Sequence, residues 1–379
     1  MQHKQWDIFC QVIDNFGDIG VAWRLARQLA TEDAIAVRLW INDLAAFHCL
    51  CPQSRVDVPT QMCEGVEIRV WDEAFAPVAP AAVVVEAFGC RLPHNYLIAM
   101  SQRAVQPVWI NLEYLSAEAW VRTHHGLASP HPSLLLTKYF FFPGYQPGTG
   151  GVLRERDLEQ ARQNFLRTET LTFWQSLGVV PRENALRVSL FAYENAALPA
   201  LLDAWQQHPQ PVICLIPEGK IVPQVAAWLG VSDLPAGAAH RRAHLEFHVL
   251  PFMDQNNYDR LLWACDINFV RGEDSCVRAQ WAAKPLVWQA YPQQENAHWA
   301  KLDALNALYI DGLHKAEAEA ISHLWQAWNG RGDMATAWAG FLSMKSALEL
   351  HAQHWPERLA APGDLVTNLL HFVEAHQAG

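Results

Sequence analysis

With 379 residues, 51% of them hydrophobic and 18% charged, the chain holds core material for two domains of ordinary size and too little charge for a disordered one. A formal net charge of −11 argues against a nucleic-acid backbone or an anionic membrane as the main partner, since both would be repelled. No apolar run reaches membrane length, the N-terminus carries no apolar signal region, and eight cysteines scattered through apolar segments read as reduced core thiols, so a cytoplasmic location is expected.

Short β-rich apolar runs alternate with helix-length amphipathic stretches, the pattern of βα units that feed parallel sheets. Strands are expected at Trp6 to Ile13, Ala36 to Ile41, Val66 to Trp71, Ala82 to Ala87 and Val108 to Leu112, with a sixth around Leu134 to Phe141. Helical patterns are clearest at Val21 to Ala30 and Asn95 to Gln102. Cys49-Leu-Cys51 with Cys63 lacks the paired second half that a zinc site needs, so no metal is expected there.

A Gly/Pro-rich stretch from Phe142 to Gly151 and the helix-like segment Asp157 to Leu177 then mark an interdomain passage. The alternation restarts with Arg187 to Phe191, a helix near Leu198 to Gln207, Val212 to Ile216, Glu246 to Val249, Ile267 to Val270 and Leu286 to Trp288. The end of the chain reads as helical only. The expected division is an N-terminal Rossmann-like domain over 1–155, a linker helix over 156–181, a C-terminal Rossmann-like domain over 182–350, and C-terminal helices over 351–379 that return to the first domain. Two such domains facing each other would form a cleft at the carboxyl ends of both sheets, where ligands of open α/β folds bind.

Two strand-to-helix loops carry most of the chemical information. The first runs Asp14-Asn15-Phe16-Gly17-Asp18-Ile-Gly20. It lacks the third glycine of a dinucleotide fingerprint, and its carboxylates would repel a diphosphate; it suits a cation or a proton. Asp18 taken alone could equally cap the following helix, and Asp14 could tie down the turn. The second loop runs Arg271-Gly272-Glu273-Asp274-Ser275 after a strand and into a helix capped by Asp274 or Ser275. A helix N-terminus beside a glycine and an arginine is a diphosphate seat, to which Arg278 could add charge. Upstream, Phe252 and Tyr258 could sandwich a base whose edge is read near Gln255, although rings in so aromatic a chain are more often core. His124-His125 and Arg331-Gly-Asp333 read as surface or packing features.

The blocks Asp14 to Gly20, Asn111-Leu-Glu-Tyr-Leu-Ser-Ala-Glu118, Thr149-Gly-Gly151, Leu190-Phe-Ala-Tyr-Glu194, Arg271 to Ser275 and Glu295-Asn-Ala-His298 together resemble the EarP-type arginine rhamnosyltransferases that mature bacterial elongation factor P. The resemblance spans nearly the whole chain. It implies a GT-B glycosyltransferase with no required metal or cofactor, dTDP-β-L-rhamnose as donor substrate and an arginine side chain of elongation factor P as acceptor. It makes Asp14, Asp18 and Glu273 the catalytic candidates. Phe191, Tyr193, Phe252, Gln255, Arg271, Asp274 and Ser275 become the donor site, to which Tyr258 is added; Asn15, Phe16, Gly17 and Tyr114 are the acceptor-side candidates. A GT-B enzyme with a small or lipid acceptor, a sugar-nucleotide epimerase, or a non-catalytic module that binds a translation factor are the rival readings. Two carboxylates in the first loop favour a cationic acceptor over the two rival enzymes, and Asp14, Asp18 and Glu273 together argue against a non-catalytic module.

Overall fold

The computed structural model describes residues 5–12, 16–72, 75–293 and 297–377. The chain divides into two compact units, Met1–Arg156 with Leu359–Gly379, and Asp157–Arg358.

In the first unit, strands β1 (Gln5–Cys10), β2 (Ala36–Ile41), β3 (Thr60–Cys63), β4 (Val66–Val70), β5 (Val83–Ala87), β6 (Val108–Leu112), β7 (Ala128–Pro130) and β8 (Thr137–Phe141) form one eight-stranded sheet in the order β3-β4-β2-β1-β5-β6-β8-β7. Its interior pairs are parallel and its two edge strands, β3 and β7, are antiparallel. A parallel sheet covered on both faces needs strands that are apolar on both, and the buried run Val83-Val84-Val85 is the clearest case. Ile8, Leu39, Val83 and Val85 pack with Trp23, Leu25 and Leu29 of the Gly17–Glu32 helix. Alternate residues Phe9, Trp40, Val84 and Trp109 join Tyr96 and Met100 of the His94–Ser101 helix in a second core. The buried Asp7 carboxylate ties the strands together: it accepts from Arg38 Nη2 at 2.6 Å, Trp40 Nε1 at 2.9 Å and the Ala81 N–H at 3.0 Å, and from the Tyr96 hydroxyl.

The C-terminal helix Leu365–Gln377 belongs to this unit, with Leu365, Val366, Leu369 and Val373 inside its first core. Gly151 lets the returning chain close in. Its φ is +74°, and a Cβ there would sit 2.4 Å from the Gly363 carbonyl oxygen. This accounts for the Thr149-Gly-Gly151 block as a packing feature.

The second unit carries β9 (Leu186–Leu190), β10 (Val212–Pro217), β11 (Ala239–Arg242), β12 (Leu245–Leu250), β13 (Ile267–Arg271) and β14 (Leu286–Gln289) in the order β11-β12-β10-β9-β13-β14. All pairs are parallel except the edge pair β11 and β12.

The unit boundaries differ from the expected ones at two places. The segment read as a linker helix is Leu158–Asn164, a π-helical turn Phe165–Glu169, and Thr170–Ser176. It belongs to the second unit because Phe165 packs edge-on against Phe173 at 5.4 Å and Trp263 at 5.6 Å. The return to the first unit begins at Leu359 and not at residue 351. Trp355 holds the intervening turns, meeting Tyr309 edge-on at 4.8 Å and donating to Gln280 Oε1 at 2.9 Å. Among the described residues no helix is long and apolar enough to cross a membrane.

Candidate functional site

The first cluster lies where β1, β5 and β6 end. Asp14 and Asn15 lie outside the described residues. The helix expected near Val21 starts at Gly17, which places Asp18 inside its first turn, where a carboxylate is favoured by the dipole. Phe16 is the cap and makes no side-chain capping bond, so Asp18 is not the cap. Phe16 packs half-buried against the first core, and Gly17 is exposed. The Asp18 side chain is 9% exposed, and the Tyr114 hydroxyl donates to its Oδ2 at 3.4 Å. Its charge also reaches the neighbouring Cys10, whose thiol is pushed up first by burial and then by Asp18. Tyr114 is stacked on Phe88, with ring centroids 4.9 Å apart. The cluster is thus a held carboxylate beside an aromatic pair, an arrangement suited to a cation and to accepting a proton.

The second cluster grows from the end of β13. Gly272 adopts φ +64°, and a Cβ there would come within 3.3 Å of the Tyr193 hydroxyl. The Asp274–Trp281 helix follows at once, with Glu273 at the cap position making no side-chain capping bond. The loop is pinned from both sides. Trp288 Nε1 donates to the Gly272 carbonyl at 2.8 Å, and the Ser275 hydroxyl accepts from the Arg271 N–H at 3.2 Å and donates to the Arg271 carbonyl. The expected capping by Asp274 or Ser275 is therefore replaced by a hydroxyl that closes the turn at Arg271. Glu273 and Asp274 stay half-buried at the helix start.

Arg271 lies over two rings, its guanidinium carbon 4.4 Å from the centre of Phe191 and 4.5 Å from that of Tyr193. Tyr193 is fixed by its N–H to Gln289 Oε1 at 2.9 Å and meets Tyr291 at 5.2 Å. Tyr258 packs edge-on against Phe191, with ring centroids 5.5 Å apart, and Phe252 stands 38% exposed. Burial pushes the Tyr258 phenol far up, so it stays protonated. Gln255 is buried at the start of its helix, which Asp254 caps by accepting from the Asn257 N–H at 2.8 Å. Arg278, expected to add charge for a phosphate, is instead buried in an ion pair with Asp259.

Of the other features, His125 accepts from the Phe142 N–H and packs on Phe141, while Asp333 caps the Met334–Ser343 helix. Among the described residues no three of His, Cys, Asp and Glu gather in a metal-holding group. Glu295 and Asn296 of the last block lie outside the described residues. Sequence reasoning missed Phe88, which no local pattern marks, and Lys220, whose ammonium lies 5.9 Å from the Tyr193 ring centre. Gly219-Lys220 just after β10 was the available signal for the latter.

Comparison with known proteins places the chain in a family. Residues 6–374 match the family model described as elongation-factor P (EF-P) rhamnosyltransferase EarP. A protein-arginine rhamnosyltransferase of Pseudomonas putida is 50% identical over 369 residues, covering 97% of this chain and 98% of that protein. A solved structure concerned with EarP-mediated arginine glycosylation of translation elongation factor EF-P is 37% identical, with a TM-score of 0.72 over 98% of this chain and 99% of that one. An α-glucosyltransferase solved with UDP and a 13-mer DNA matches at a TM-score of 0.52 over 98% of this chain and 99% of the other; at 10% identity it shares the GT-B fold alone.

Proposed function

The chain belongs to the elongation-factor P rhamnosyltransferase family EarP, and from that membership we propose that it moves L-rhamnose from dTDP-β-L-rhamnose to a guanidino nitrogen of one arginine of elongation factor P, inverting the anomeric centre. Such a reaction is cytoplasmic and calls for no metal or cofactor. The observation that carries the reading is the Asp18 carboxylate, more than nine-tenths buried, set in the first turn of its helix and touched by a phenol.

Arginine is a poor nucleophile because its guanidinium is protonated and its lone pairs are delocalised. A carboxylate that holds the guanidinium and takes one proton removes that obstacle. Asp18 does so, with Asp14 beside it in sequence. The nitrogen attacks the anomeric carbon from the face opposite the diphosphate. The new C–N bond forms as the C–O bond to the diphosphate breaks; the proton passes to the Asp18 carboxylate, and dTDP leaves with the bonding electrons.

In the second unit, the first N–H groups of the Asp274–Trp281 helix and the Arg271 guanidinium stabilise the departing diphosphate. Asp274 and Ser275 shape that turn, and Glu273 orients the donor at its edge. Phe191, Tyr193, Phe252, Gln255 and Tyr258 form the thymidine pocket. The test is to incubate the protein with dTDP-β-L-rhamnose and unmodified elongation factor P and to map the product by peptide sequencing and NMR. An α-linked deoxyhexose on one arginine is the expected product. No transfer, a sugar on another residue type, or a β linkage would overturn the proposal.

A further inference from the structure

Phe88 occupies backbone that bulky residues avoid. It follows the fully buried strand β5 with φ +57°, and Gly89 continues at +68°. Glycine adopts this left-handed region freely, whereas a phenylalanine does so only where its surroundings hold it. They do so here. The Phe88 N–H donates to the Leu112 carbonyl at 2.8 Å, the Cys90 N–H to the Ala87 carbonyl at 3.2 Å, and the Cys90 thiol to the Phe9 carbonyl at 3.2 Å.

The held backbone fixes where the ring goes. It stacks on Tyr114 with centroids 4.9 Å apart and an interplanar angle of 27°. Tyr114 in turn reaches Asp18 with its hydroxyl while its ring remains 38% exposed. Three residues from the ends of β5 and β6 and from the first helical turn therefore stand in a row: Phe88 backs Tyr114, and Tyr114 touches the carboxylate.

We propose that the Phe88–Tyr114 stack is the platform on which the planar guanidinium of the acceptor arginine lies, and that Phe88 is the positioning residue that holds Tyr114 in place for it. The inference rests on the reading that Asp18 receives that guanidinium. A guanidinium is flat, delocalised and weakly hydrated, so it can lie on a ring while its edge donates to a carboxylate. The ammonium of lysine is a compact, strongly hydrated charge with no plane to lay down. The platform thus selects arginine over lysine at the binding step, which Asp18 as a bare charge does not.

The test compares binding of two acceptors by titration calorimetry: elongation factor P with arginine at the modified position, and the same protein with lysine there. Phe88→Leu keeps an apolar side chain but removes the ring. It should weaken binding of the arginine acceptor roughly 2- to 30-fold, the span of a cation–π contact, and leave the lysine acceptor and dTDP unchanged. Phe88→Tyr restores the ring and should restore arginine binding. If Phe88→Leu does not fold, Tyr114→Leu removes the platform without touching the left-handed backbone, and the same arginine-selective loss is expected. An equal loss for both acceptors, or none for either, overturns the platform even if transfer to arginine is confirmed. A wild-type protein that binds neither acceptor overturns the Asp18 reading and the platform with it.

Discussion

The Arg278 guanidinium donates to the Asp259 carboxylate twice, from Nε at 3.0 Å and from Nη2 at 2.6 Å, and the two side chains are only 2% and 5% exposed. The pair locks the Gln255–Ala264 helix to the Asp274–Trp281 helix and thereby sets the distance between the two elements proposed to hold the base and the diphosphate. Removing one partner leaves a buried charge without compensation. Arg278→Ala should therefore cost about 3–5 kcal/mol of stability, read as a drop in the denaturant midpoint. Loss of dTDP affinity without loss of stability would return Arg278 to the phosphate site.

Arg271 is the contrasting case, half-buried over two rings at the loop proposed to seat the diphosphate. Arg271→Ala should weaken dTDP binding roughly 10- to 100-fold, the value of a charge-assisted hydrogen bond, while thermal stability changes little. Titration calorimetry beside a melting curve checks both halves of that expectation.

The contrast between these two arginines shows where the sequence was legible and where it was not. The loop Arg271 to Ser275 could be placed because a strand-like run ended and a helix pattern began around a glycine, and local chemistry alone decides that. The fate of Arg278 depended on which face of another helix carried Asp259, which no local pattern reveals. Interior strands such as Val83–Ala87 were readable because a strand buried on both faces is a continuous apolar run. The edge strand Ala239–Arg242, with the sequence Ala-His-Arg-Arg, carries no such signal because edge strands are short and polar by necessity. The helix start was placed late because Gly17 and Gly20 read as turn residues, whereas both lie within the Gly17–Glu32 helix. The left-handed backbone at Phe88 is set by tertiary hydrogen bonds and leaves no trace in composition or period.

Burial also makes the stability of the first unit depend on pH at the alkaline end. It pushes the thiols of Cys63 and Cys90 from an ordinary 9.0 up to about 12. Both groups stay protonated in the folded state while the unfolded chain ionises, so the folded state holds more protons above pH 9. Their contribution is complete below pH 9 and is lost as the pH rises through about 12. Melting temperature should fall steadily with pH above 9, and Cys90→Ala should flatten that slope relative to its own value at pH 8. A slope unchanged by Cys90→Ala would show that this thiol does not contribute.

The central claim is that Asp18 takes the proton of the acceptor guanidinium and contributes nothing to donor affinity. Asp18→Asn keeps the shape of the side chain and removes its basicity, so single-turnover rhamnosylation of elongation factor P measured beside dTDP titration tests the claim most directly. The account predicts a turnover lower by roughly 10²- to 10⁴-fold, the usual loss for a general base, with an unchanged Kd for dTDP. Near-normal turnover in Asp18→Asn, or loss of dTDP binding in the folded variant, would contradict it.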